Sequence, residues 1–339
     1  MARGSRARRR HAGLAGGELT LLTLRIPSSG RLLTTQLAAY GLTLAIHANG
    51  GSAWIGHDES SLECDPLVQT DASPQDIADS IARSARVCEG SIEADLVPGA
   101  TGNDRIPVIR ARATDQERAT IALAARERLL DAAEAADEML TAVLLAGLGA
   151  PAPWLCDGSA ARKSMPGRGA TDLDGVPYNI GSDIVRGLLR PVLRATKQTD
   201  ADALVELFTA DTVPPASDRD RTRWSPDGTT LAPACQWLAA LGLGMLPVGL
   251  TSTGRARTPG FWRQSGGRGI SLPVLQRLVS VPRLRAILQR PELTPAGGAR
   301  DAARLRSLGV SEVISFSVVE ASSGTMVAFS FAPASRRAL

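Results

Sequence analysis

This sequence of 339 residues predicts an α+β fold, with mixed helices, small antiparallel sheets and a C-terminal β-hairpin. Three observations lead there. Apolar residues recur at helical spacing in several segments, first at Leu33, Leu37, Tyr40 and Leu44. Near the C-terminus, Ile314, Phe316 and Val318 alternate with serines, and Val327, Phe329 and Phe331 repeat the alternation after a Ser322-Ser323-Gly324 turn. Between them lies an Arg/Gly/aromatic stretch, Thr253–Ile270, that reads as a hairpin with Gly266-Gly267 at its tip.

The elements follow in chain order. Residues 1–17 are rich in Arg, Gly and Ala and read as a disordered basic tail. An N-terminal α+β domain is expected over 18–213. It opens with a strand, Glu18–Ile26, and a helix, Arg31–Ala48, stopped by Asn49-Gly50-Gly51. Ser52–His57 is a short strand. Ser73-Pro74-Gln75-Asp76 then supplies a cap, a first-turn proline and an acid, ahead of a helix that lines Ile77, Ile81 and Ala85 on one face. Thr114-Asp115-Gln116-Glu117 is a capping-box pattern, and the apolar spacing predicts one helix from there to Gly147. That helix would be roughly 50 Å long. Residues 149–180 read as a long loop, followed by helices over Ile180–Ala195 and Asp200–Ala210.

The polar stretch Pro214–Asp227 reads as a linker into a C-terminal α+β domain, 214–339. It begins with an apolar helix, Ala232–Leu246, and a strand near Pro247–Thr251. After the hairpin come two short helical pieces between Pro273 and Gln289. One echo joins the halves: Leu37-Ala38-Ala39-Tyr40-Gly41-Leu42 and Leu238-Ala239-Ala240-Leu241-Gly242-Leu243. Duplication and a chance match of Ala/Leu-rich sequence both account for it.

Charge is the most informative global feature. The net charge of +4 divides unevenly. Residues 1–12 carry Arg3, Arg6, Arg8, Arg9 and Arg10 with no acid. From Gly228 to Pro291 no Asp or Glu occurs, yet eight arginines do: Arg255, Arg257, Arg263, Arg268, Arg277, Arg283, Arg285 and Arg290. The rest of the chain is acidic. Base composition explains why arginine displaces lysine, but not so long a stretch without a carboxylate. Two basic segments on an acidic body fit a polyanionic partner.

Other functions lose ground. The longest apolar run, Met139–Leu155, is interrupted by Gly147, Gly149, Pro151 and Pro153, so no membrane span or membrane partner is expected. The basic start lacks the apolar core of a secretory signal. Cys64, Cys88, Cys156 and Cys235 form no C-x-x-C pair and read as reduced thiols of a cytoplasmic protein. His11, His47 and His57 show no metal spacing, and Gly158–Ser164 lacks the second glycine of a phosphate-binding loop. Asp172/Asp174 and Asp218/Asp220 are turn signals without a third acid. No catalytic site, metal or cofactor is expected.

Binding chemistry remains. Arg255, Arg257, Phe261, Trp262, Arg263, Gln264 and Arg268 interleave guanidinium groups with aromatics, an amide and glycines. Arginine forks grip phosphate or guanine edges, glutamine suits adenine, and a planar ring stacks on or wedges beside a base. Arg162, Lys163 and Arg168 in the 149–180 loop form a second basic group. Two other readings stand beside this one. One is a guide-RNA-processing endoribonuclease using His47 or His57 as acid or base. The other is a protein-interaction scaffold docking through the 114–147 helix.

The helix Leu37–Leu42 before the Trp54 strand resembles a known pattern, as do Trp224-Ser-Pro-Asp-Gly before Cys235–Leu243 and the Phe261-Trp262-Arg263 hairpin. Together they resemble the short large-subunit proteins of type I-U (I-G) CRISPR effector complexes, in patches over most of residues 20–332. The basic tail lies outside the resemblance. It implies a non-catalytic subunit of an RNA-guided surveillance complex whose partners are double-stranded target DNA, guide RNA, the CRISPR backbone subunits and a helicase–nuclease. Such a subunit contacts the duplex near a protospacer-adjacent motif and helps open it, while base pairing reads the sequence.

Overall fold

The computed structural model describes residues 21–94, 116–148, 173, 189–209, 231–250, 256–295, 299–323 and 326–339. The tail, the linker and all but Leu173 of the 149–180 loop lie outside them. The first half contributes β1 (Leu22–Arg25), α1 (Leu33–Ala48), β2 (Ala53–His57), β3 (Pro66–Thr70) and α2 (Pro74–Glu93). Four more helices follow: α3 (Gln116–Ala135), α4 (Met139–Leu148), α5 (Arg190–Gln198) and α6 (Ala201–Thr209). The second half contributes α7 (Pro233–Gly242), β4 (Gly249–Leu250), β5 (Ala256–Arg257), β6 (Phe261–Gln264), β7 (Gly267–Leu275) and β8 (Val279–Ser280). It closes with α8 (Val281–Leu288), α9 (Ala299–Ser307), β9 (Val310–Ser323), β10 (Met326–Phe331) and β11 (Ser335–Ala338). The fold is α+β.

All strand pairs are antiparallel. One sheet has the order β1-β3-β2-β8. A second runs β6-β7-β9-β10, with β11 also on β9, and β4 and β5 pair as a two-stranded sheet. The expected C-terminal hairpin is β9–β10, with Phe331 opposite Val318. The chain then continues along the same side of β9: Ala332 N–H donates to Ser317 O (2.8 Å), and Ser335 pairs Ser315. Arg336 fixes this last strand by a two-pronged contact with Glu312, both distances 2.6 Å, and a bond to Leu62 O (3.0 Å).

The 213/214 boundary falls in a stretch outside the described residues. The described chain on either side of it forms one core, from Leu24 through Trp237 to Phe316. It also shares one sheet, because β8 pairs with β2. The centre is the crossing of α1 and α7. A methyl group on Gly41 would stand 1.8 Å from Leu238 O. The echoed leucine and glycine positions thus face each other reciprocally. Only bare backbone allows helices this close. Trp237, fully buried, ties α7 to α2 by donating from Nε1 to Ser84 Oγ (2.8 Å).

α2 starts as expected: Ser73 Oγ accepts from Asp76 N–H, Asp76 returns a bond to Ser73 N–H, and Pro74 stands in the first turn. Its buried face includes Ile77, Ile81 and Ala85. α1 has no cap of its own. Asp65 instead accepts Gly30 N–H (2.7 Å) and Glu63 accepts Ser29 Oγ–H (2.6 Å), placing carboxylates beside its positive end.

Three expectations change. The 114–147 helix is two helices. Asp137 adopts a left-handed φ of 56°, Glu138 N–H bonds Ala133 O (2.7 Å) and Asp137 N–H bonds Glu134 O (3.1 Å). This is a complete Schellman stop, which periodicity alone does not reveal. α4 folds back on α3, held by the Arg126 guanidinium on Leu145 O. Between Pro273 and Gln289 there is one helix, α8, because β7 extends to Leu275 and β8 intervenes. β3 and β11 were not expected, although β3 is a central strand.

Candidate nucleic-acid interface

The β6–β7 hairpin carries the candidate site. Ser271 N–H donates to Gly260 O (3.0 Å), and the register runs Phe261↔Ile270, Trp262↔Gly269, Arg263↔Arg268 and Gln264↔Gly267. Hydrogen-bonded and non-hydrogen-bonded pairs alternate along an antiparallel ladder. Counting from Gly260, Arg263 and Arg268 form a non-hydrogen-bonded pair, the closer kind, with Cβ atoms about 5 Å apart. Like charges directly opposite repel across a sheet.

Side chains alternate between the two faces. Phe261 is buried in the core, and the Arg263 guanidinium carbon stands 5.6 Å from its ring centroid, a cation–π contact. Phe261 therefore orients Arg263 and anchors the hairpin, leaving no face for a base. Trp262 is half-buried and lies over Gly269, where an added methyl would come within 2.7 Å of its Cζ2. Its indole Nε1 is buried and makes no hydrogen bond among the described residues. Arg263 and Gln264 are exposed, and Arg268 is half-exposed.

Arg257 is bound inward. Its Nη2 (2.7 Å) and Nε (3.1 Å) both donate to Phe261 O, locking the base of the hairpin. Arg255, Arg162, Lys163 and Arg168 lie outside the described residues. Other arginines of the acid-free stretch also serve backbone carbonyls. Arg283 donates to Leu308 O (3.1 Å), just beyond the C-terminal end of α9, and Arg285 donates to Gly244 O (3.3 Å). Arg277 packs at Gly309, where an added methyl would meet its Nε at 2.8 Å. Helix C-terminal carbonyls carry partial negative charge, so they partly replace the missing carboxylates. The structure brings together Arg263, Gln264 and Arg268 at one exposed tip.

β7 is joined to the rest of the molecule through His57. Leu275 N–H donates to Nδ1 (3.1 Å), so the proton sits on Nε2, which donates to Gln36 Oε1 (3.1 Å). Gln36 Nε2 in turn donates to Gly30 O (2.7 Å) and Cys64 O (3.0 Å). Burial pushes the His57 pKa down to about 4, so the ring is neutral. Both ring nitrogens are engaged, and the residue acts as a strut. No spacing rule points to this network, because its partners lie on four separate segments.

Among the described residues there is no cluster of His, Cys, Asp and Glu that would hold a metal ion, and no helix long and apolar enough to cross a membrane. Cys64, Cys88 and Cys235 are free and buried, and burial raises the Cys88 and Cys235 pKa values to about 12. No family model, curated protein or solved structure matches this chain.

Proposed function

We propose that this chain is a cytoplasmic, non-catalytic large subunit of a type I CRISPR surveillance complex. It contacts target duplex DNA near the protospacer-adjacent motif, assists duplex opening and supports recruitment of the helicase–nuclease, alongside guide RNA and the backbone subunits. The observation that carries the reading is the Arg263–Arg268 pair, two guanidinium groups on directly opposite positions of an exposed hairpin. Two neighbouring guanidinium groups favour an anion placed against both of them. The resemblance of residues 20–332 to such subunits supplies the biological setting. The commitment of both His57 nitrogens speaks against that residue as a ribonuclease acid or base.

The test is a filter-binding titration on short duplex and single-stranded DNA across a salt series, comparing wild type with the Arg263→Ala/Arg268→Ala variant. The reading predicts a salt-steep affinity that weakens in the variant, with the slope of log K against log salt falling by about 2 for two lost cationic groups at the DNA. Equal binding by both proteins would move the contact elsewhere. Absence of binding at low salt would leave the scaffold reading, with α3–α4 as its docking element.

A further inference from the structure

We infer that the tip of the β6–β7 hairpin enters the major groove of duplex DNA and reads guanine there through Arg263 and Arg268. This rests on the nucleic-acid reading above and adds the groove, the base and the residues. The first support is projection. The β7–β9 ladder ends at the Gly269↔Ser317 pair, so residues 263–268 extend past the last rung that β7 shares with β9, and 263–267 are all exposed. The second is width. Two strands about 4.8 Å apart with side chains do not fit a minor groove about 6 Å wide, whereas a major groove of about 12 Å admits a two-stranded ribbon.

The third support is Gly266. A methyl group there would meet nothing within 4 Å, and its φ is not among the positive values. Neither crowding nor backbone angle in the protein itself asks for glycine at this position. Its neighbour Gly267 differs, because a φ of 145° does require one. A bare Gly266 keeps the tip narrow and lets its backbone approach a groove floor. Contact with phosphates alone needs no such narrowness. At that floor the guanidinium fork pairs with guanine O6 and N7.

The experiment begins with selection from a randomised duplex library on the full-length chain. The selected duplex is then made with guanine or with 7-deazaguanine, which lacks the N7 acceptor. The expected result is enrichment of guanine and an affinity loss of at least about fivefold on 7-deaza substitution. Arg263→Lys/Arg268→Lys keeps the charge and erases that difference. Gly266→Leu weakens duplex binding without changing thermal melting. Selection without guanine enrichment, equal affinity for both duplexes and a Gly266→Leu variant that binds normally would overturn the inference and leave backbone binding, and with it the proposed function, standing. Failure of the wild type to retain any duplex at low salt would remove both.

Discussion

Gly242 lies so close to Leu37 that a methyl group in its place would stand 1.9 Å from the Leu37 carbonyl oxygen. Gly41 repeats the relation with Leu238, and both contacts are with backbone, which cannot rotate away. Gly41→Ala and Gly242→Ala are therefore each expected to lose about 3 kcal/mol by forcing α1 and α7 apart. Chemical denaturation midpoints check this. Gly266→Ala, which meets open space, serves as the control and should stay within about 0.5 kcal/mol of wild type.

His57 predicts an acid-sensitive fold. Its folded pKa of about 4 lies below the ordinary 6.5, so the unfolded chain binds the extra proton between those values. Stability is complete above pH 6.5 and falls as pH drops toward 4, by about 2 kcal/mol at pH 5. Melting temperature measured from pH 7 to pH 5 should decline accordingly. His57→Gln should start less stable and show a flatter profile over the same range.

Asp137 marks where a helix is stopped by a residue poorly suited to the angle. Asp137→Gly removes the Cβ conflict at φ 56° and is expected to stabilise by about 0.5 kcal/mol after glycine's own entropy cost. Asp137→Val should destabilise by about 1 kcal/mol. If α3 and α4 were continuous, the order of these two variants would reverse.

Arg190 is buried at the start of α5 and closes the C-terminal end of α2. It donates to Ile92 O (3.1 Å) and Glu93 O (3.1 Å) and pairs with the Glu93 carboxylate (3.1 Å). Arg190→Met would leave those carbonyls without this donor and the Glu93 carboxylate without this partner, at a loss of about 3 kcal/mol. Adding Glu93→Gln should recover part of it, read as coupling in a double-mutant cycle.

Much of the architecture is legible in the sequence because single residues announce it. Ser73, Pro74 and Asp76 name the start of α2, and Asn49-Gly50-Gly51 follows the end of α1. The serine alternation around Phe316 predicts β9, and Gly266-Gly267 marks the ribbon turn to within one residue, the turn itself being Ser265-Gly266. What stays hidden depends on partners distant in sequence. β3 is short, and its place between β1 and β2 follows from pairing alone. The echo of Leu37–Leu42 in Leu238–Leu243 is visible as letters, but that the two copies pack on each other is not. At the candidate site, composition points to the 255–268 segment. It does not separate Arg257, which holds the Phe261 carbonyl, from Arg263 at the tip, because that distinction arises from how the chain folds back on itself.

Arg257 also settles how the sheet ends. On β6 the backbone groups of Phe261 and Arg263 face away from β7, and those of Phe261 are already spoken for: its N–H bonds Thr258 O (3.1 Å) and its carbonyl receives the Arg257 fork. A strand from a second molecule would find the Phe261 backbone already taken. An exposed ribbon is ordinarily a template for self-association. Here the template is blunted within the same chain, so the tip can stay open to solvent without seeding polymer growth.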